Sequence, residues 1–258
     1  MPCAAPTSIW LYDQLIRSDL FTMKEYRSTA AIKTAARVHM FGRYGVTVRA
    51  YIWMNAILLI MTWLFASMNT QGAGSLISVY IFYAIRFIIL GIFMSGTAYL
   101  YLNIASEQPA YAGMVFYGFR NHTDKAVMIS LVIDAAQLVL CIPLLVFFYI
   151  FKATGNQVYL IPFGIGALIA LAGLVVCKAL FMPAYYLIHD FPDYGVAQII
   201  RLCPTIMRGH MGRAMYLYIG FIPMMMLELV SLGAAAPWVE SYLNASFTEM
   251  YLDIMKKG

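Results

Sequence analysis

"AVMISLVIDAAQLVLCIPLLVFFYIF", from Ala126 to Phe151, carries one charged residue, Asp134. A helix that crosses a ~30 Å hydrocarbon core needs about 20 apolar residues, at about 1.5 Å of rise each, so this stretch is long enough to span. Four further runs have the same character: Ala50 to Met68, Leu76 to Tyr101, Val158 to Leu187 and Ala214 to Ala235. The composition agrees, because 62% hydrophobic and 11% charged residues in 258 is more apolar than a soluble domain can bury. The chain therefore reads as an all-α, polytopic helical membrane bundle.

The links between runs alternate in charge. Arg17, Lys24, Arg27, Lys33, Arg37, Arg43 and Arg49 precede the first run, while the first link, "NTQGAGS", has no basic residue. The second link offers Arg120 and Lys125, the third only Lys152, and the fourth Arg201, Arg208 and Arg213. Positively charged loops stay in the cytoplasm, which places the N-terminus there. A signal peptide would put its apolar run within the first thirty or so residues, whereas roughly 45 mostly polar and amphipathic residues come first here. The first membrane helix is thus expected to stay in the mature protein. Residues 1–45 read as a cytoplasmic amphipathic segment and 46–258 as the helical transmembrane domain.

The segment "WVESYLNASFTEMYLDIMKKG" admits two readings. Glu240, Asn244, Glu249 and Asp253 are costly if they face lipid. Val239, Tyr242, Leu243, Phe247, Met250, Tyr251 and Ile254 nevertheless keep helical spacing, so the segment either lies on the outer surface or lines a bundle with its polar face inward. From Trp238 to Lys256 it covers about 28 Å, enough to cross, and crossing returns Lys256 and Lys257 to the basic side.

Each basic segment also precedes a span with an amphipathic run. In "TMKEYRSTAAIKTAARVHMFGRYG", Thr22 and Glu25 have the spacing of a capping box, and in "PAYAGMVFYGFRNHTDK" Pro109 suits a first helical turn. In "FPDYGVAQIIRLCPTIMRGH", Val196, Ile199, Ile200, Cys203 and Met207 form one face, and Gln198, Arg201, Thr205 and Arg208 the other. The pattern predicts three units, each a cytoplasmic interfacial helix followed by a membrane hairpin, or about six spans in all.

The stretches "IKTAARVHMFGRYG", "GTAYLYLNIASEQPAYAGMVFYGF" and "FPDYGVAQIIRLCPTIMRGHMGRAMYLYIGFIP" carry a resemblance to the bacterial integral membrane family catalogued as domain of unknown function 975. The likeness runs through most of the chain after about Lys24. Its most specific piece is Pro192 and Asp193 followed by an amphipathic helix ending at Met207, Arg208 and Gly209. The chain departs from the family pattern at Gly195, where a Ser or Thr cap usually follows Pro-Asp, and at Pro204. The resemblance implies a multi-span domain of the bacterial cytoplasmic membrane and no established activity.

Four ionisable residues fall inside apolar runs: Arg86, Asp134, Lys178 and Glu228. Charges at this depth are rare, and are paired or functional. Counting from the cytoplasmic ends, Asp134 lies roughly 12 Å deep, and Arg86 and Glu228 about 20 Å, so the three can share a polar layer that Asn55 joins by hydrogen bonding. One reading pairs Arg86 with Asp134 or Glu228 to lock three helices; another makes Arg86 an anion or counter-ion site with a carboxylate relay. Lys178 is close enough to its span's end to snorkel.

Other features read as structure. Gly164, Gly166 and Gly173, with Ala167, Ala170 and Ala172, mark a close-packing face, and the methionines, Met224 to Met226 among them, read as core filling rather than soft-metal ligands. A metal site between His189, Asp190 or Asp193 and Cys203 or His210 would have to bridge a helix about 22 Å long. Cys3, Cys141, Cys177 and Cys203 are too scattered for a disulfide or zinc framework. No cofactor is expected. Arg201 and Arg208 are placed to meet anionic headgroups at the cytoplasmic face of the bilayer. A membrane protein is a further possible partner; nucleic acid is not expected.

The chain has no Walker loop, HExxH, GxSxG or dinucleotide fingerprint, so an energised pump or a soluble-type catalytic domain is not expected. Two function classes stay open. One is a non-catalytic membrane module that scaffolds, regulates or forms the membrane part of a transport or envelope system. The other is a transporter or channel for a small or lipid-like solute that uses the intramembrane Arg-carboxylate layer.

Overall fold

The structure is a computed structural model that describes residues 26–69, 76–154, 158 and 160–257. Among these residues there is no strand, and the helices follow one another as α1 (Thr29–Met40), α2 (Tyr44–Asn69), α3 (Leu76–Ala105), a 3₁₀ helix (Ala112–Phe119), α4 (Thr123–Thr154), α5 (Leu160–Phe181), α6 (Ala184–Asp190), α7 (Val196–Met207), α8 (Met211–Ile219), α9 (Ile222–Val230) and α10 (Ala236–Lys257). Five stretches are long and apolar enough to cross a membrane: Tyr44–Ser67, Ile81–Ala105, Thr123–Lys152, Ile161–Asp190 and Met211–Val230. They correspond to the five runs of the sequence, displaced by a few residues at their ends.

Two of those runs are broken, and proline explains both breaks. Pro183 separates α5 from α6 and Pro223 opens α9 after the Gly220–Phe221 turn. A proline has no N–H to offer the carbonyl four residues back, so the ladder is interrupted just before it. Pro204, by contrast, sits inside α7 without ending it. The absent Ser or Thr cap of α7 is replaced by its own third residue: the Gly195 N–H donates to Gln198 Oε1 at 2.8 Å. The helix stops where Gly209 takes φ +85°, a value that glycine adopts without steric penalty.

α1 begins at Ser28, whose Oγ accepts the Ala31 N–H at 3.2 Å. The capping box expected at Thr22 and Glu25 lies outside the described residues. The second amphipathic segment is a correction to the sequence reading. It forms a 3₁₀ helix that presses against α3, with Met114 and Val115 buried. Two glycines make this approach possible. A Cβ on Gly96 would lie 1.9 Å from the Val115 carbonyl oxygen, and one on Gly118 would lie 2.3 Å from that of Ile92. Backbones this close leave no room for a side chain.

α4 and α5 pack side by side. Gly173 faces Leu140 and Gly166 faces Phe147, whereas Gly164 has open space beside it, so only part of the small-residue stripe is a packing face. Leu138, Tyr149, Ile161 and Leu168 point outward and bare, as lipid-facing side chains would.

The chain buries the amphipathic α10 most fully. It touches α1, α2, α3 and α9, and Tyr242, Ser246, Phe247, Glu249, Met250, Tyr251, Asp253 and Ile254 are all buried. Of the two readings left open by the sequence, the structure takes the one in which the helix lines the bundle with its polar groups inward.

Candidate functional site

α10 presents two polar regions. Towards its C-terminal end, Glu249 accepts a contact from His39 Nδ1 at 2.6 Å and from Arg27 at 3.8 Å. One turn on, Asp253 meets Arg213 Nη2 at 2.6 Å and accepts the Arg27 N–H at 3.3 Å, while the same Arg213 nitrogen donates to the Arg27 carbonyl at 2.8 Å. Arg37 Nε donates to the Tyr242 hydroxyl at 2.8 Å, and that hydroxyl in turn donates to the Lys33 carbonyl. Lys33 Nζ donates to the Gly220 carbonyl and sits 4.4 Å from the centre of the Phe221 ring. Desolvation, reinforced by the neighbouring Arg37 charge, holds the Lys33 ammonium below its usual range. The basic residues of α1 and α8 thus close one end of the bundle around buried acids.

The second region is a cavity of about 420 Å³. α3, α4, α10 and the α5–α6 pair each give it one helical stripe, and Tyr218 of α8 and Met225 of α9 add one residue each. Phe87, Leu90, Gly91, Met94 and Tyr101 come from α3, and Ser130, Ile133, Asp134 and Gln137 from α4. Lys178 and Phe181 of α5 continue through Met182 into Tyr185 and Tyr186 of α6. Glu240, Leu243, Asn244 and Phe247 of α10 complete the wall, the i, i+3, i+4, i+7 pattern that puts side chains on one face. Asn244 donates to the Glu240 carbonyl, which leaves its side-chain oxygen for the cavity. No hydrogen bond or ion pair among the described residues ties the side chains of Asp134, Lys178 or Glu240. Glu240 does lie within electrostatic range of Lys178 and of Glu228.

The residues expected to form a polar layer are dispersed. Asp134 faces the cavity, but Arg86 does not line it and makes no hydrogen bond or ion pair among the described residues. Glu228 is half-buried on α9 and faces Glu240 rather than Arg86. Asn55 donates to the Tyr51 carbonyl one turn back in its own helix. The interfacial motif is partly structural: the Pro192 carbonyl accepts a hydrogen bond from Lys125 Nζ, and Asp193, Arg201 and Arg208 are exposed. Ile199, Cys203 and Met207 are fully buried on the opposite face of α7, as the spacing predicted.

Lys178 and Glu240 are the cavity residues that sequence reasoning passed over. Lys178 stands near a span end, where a lysine can snorkel, and Glu240 lies on a helix whose residues suit a surface and an interior equally. The i, i+4 spacing of Glu240 and Asn244 in an otherwise apolar stretch was the available signal.

A family model described as "Protein of unknown function (DUF975)" matches residues 26–258, nearly the whole chain. No curated protein and no solved structure matches the chain. The three stretches that carried the resemblance lie inside the matched range, as do both polar regions of α10. The chain belongs to the DUF975 family of proteins of unknown function.

Proposed function

We propose that this protein is a non-catalytic membrane module that holds a small or lipid-like solute in the cavity between α3, α4, α5, α6 and α10. One observation carries the reading. Three ionisable side chains with no hydrogen-bond partner among the described residues, together with Thr97, Ser130, Gln137 and Asn244, face a space of about 420 Å³ whose other walls are mostly aromatic, aliphatic and thioether groups. Pockets that take small molecules have this composition, mostly apolar with a few convergent polar groups. The closed ionic end of the bundle supplies the rigid support, and Arg201 and Arg208 sit against anionic headgroups of the bacterial cytoplasmic membrane. The N- and C-terminal ends face the cytoplasm in this reading.

The test uses the full chain in lipid nanodiscs with a diazirine-bearing diacylglycerol as a neutral amphipathic probe. Photolabelling is expected on the cavity stripes of α3 and α10 and is expected to fall in Thr97→Trp, which fills the cavity. Labelling confined to the outward faces of α4 and α5, with no charged amphipath binding in the cavity either, would overturn the reading.

A further inference from the structure

We infer that the cavity selects an amphipathic organic cation. This rests on the solute-binding reading and adds the charge and shape of the ligand. The formal charges on the cavity wall do not balance: Asp134 and Glu240 are acids and Lys178 is the one base among the lining residues. Lys178 can offset one carboxylate, which leaves the second without a counter-ion in a space walled by hydrocarbon. An unpaired carboxylate in such surroundings is strongly disfavoured and is relieved by taking up a proton or a cation; a ligand cation that displaces the proton supplies the charge the wall lacks. Glu228 lies close enough to Glu240 to add to the negative field from behind.

The remaining wall suits the same ligand. Tyr101, Tyr185, Tyr186 and Tyr218 line the cavity, and aromatic rings attract cations. Met94, Met182 and Met225 add flexible, polarisable contacts that adapt to an irregular apolar body. The two carboxylates project from α4 and α10, so a head group between them would be held by two different helices. An anion would meet two like charges, and a neutral solute would leave the uncompensated carboxylate as it is.

Equilibrium binding to the full chain in nanodiscs, corrected with empty nanodiscs, decides the matter. The probes are tetraphenylphosphonium and tetraphenylborate, which share a shape and differ in the sign of charge. Saturable binding of the phosphonium and not the borate is expected, with a loss of about tenfold or more in the Asp134→Asn, Glu240→Gln double variant. Lys178→Met removes the like charge and is expected to tighten phosphonium binding by about threefold or more, a gain that a merely structural lysine would not give. Thermal unfolding of each variant checks that it is folded.

Equal or preferred binding of the borate, phosphonium binding unaffected by the double variant, or weaker binding in Lys178→Met would each overturn the inference. If the neutral diacylglycerol probe labels the cavity while the phosphonium does not bind, the solute-binding reading stands and the cation assignment falls. If neither probe enters, both fall.

Discussion

His39 Nδ1 and Glu249 Oε1 stand 2.6 Å apart across 210 residues of chain, joining the amphipathic α1 to the C-terminal half of α10. The Glu249 side chain is only 5% exposed, and besides His39 it has the 3.8 Å contact with Arg27. His39→Ala is therefore expected to lower stability by about 1–3 kcal/mol, read as a drop in the thermal unfolding midpoint in detergent. Adding Glu249→Gln to that background should recover part of the loss, because the stranded carboxylate is removed. Strictly additive losses would show that the two residues are not coupled.

Arg213 and Asp253 form the more enclosed pair, with 2% exposure at the Asp253 side chain. Arg213→Ala removes the guanidinium from that carboxylate and is expected to cost about 3 kcal/mol in the same assay. Arg213→Lys should lose less, since it keeps the charge but not the forked contacts to Asp253 and the Arg27 carbonyl. Equal losses in the two variants would count against the charge as the main contribution.

Gly96 and Gly164 both stand in helices, yet alanine should affect them to very different degrees. At Gly96 a Cβ would collide with the Val115 backbone, so Gly96→Ala is expected to destabilise by about 2 kcal/mol or more. At Gly164 no atom lies within 4 Å, and Gly164→Ala is expected to change stability by about 0.5 kcal/mol or less. Thermal unfolding of the two variants side by side checks the contrast.

Cys203 is fully buried on α7, and desolvation pushes its thiol from an ordinary value near 9 up to about 12. The folded state thus holds the proton more tightly than the unfolded state does. This contribution to stability is fully present below about pH 9 and is lost as pH rises towards about 12. Maleimide labelling of Cys203 at pH 8, followed by peptide mass spectrometry, is expected to be slow in the folded protein and fast after denaturation. Rapid labelling in the native state would contradict this burial.

The order and character of the helices were legible because each apolar run exceeds a span length whatever it packs against. The breaks at Pro183 and Pro223 do not follow from the sequence alone, since a proline in a long apolar run can also be absorbed, as Pro143 is within α4. The partners of the charges were harder. Counting residues from a span end gives depth but not direction around the helix, so it could not show that Arg86 makes no pair with Asp134 among the described residues. The ionic end was hidden by distance along the chain, because Arg27, His39 and Arg213 meet Glu249 and Asp253 only once the bundle has closed. The inward course of α10 could not be chosen from its own residues, which suit a surface and an interior equally well.

The placement of α10 also sets an order of events during biosynthesis. A ribosome delivers α1 to α9 before this helix, yet its residues fill the space between α1, α2, α3 and α9. The earlier helices must enter the membrane and wait with that space unfilled until α10 follows, and only then do Glu249 and Asp253 meet His39 of α1 and Arg213 of α8. A nascent chain halted before Ala236 therefore exposes the apolar side chains that α10 covers, and is a ready substrate for membrane proteases.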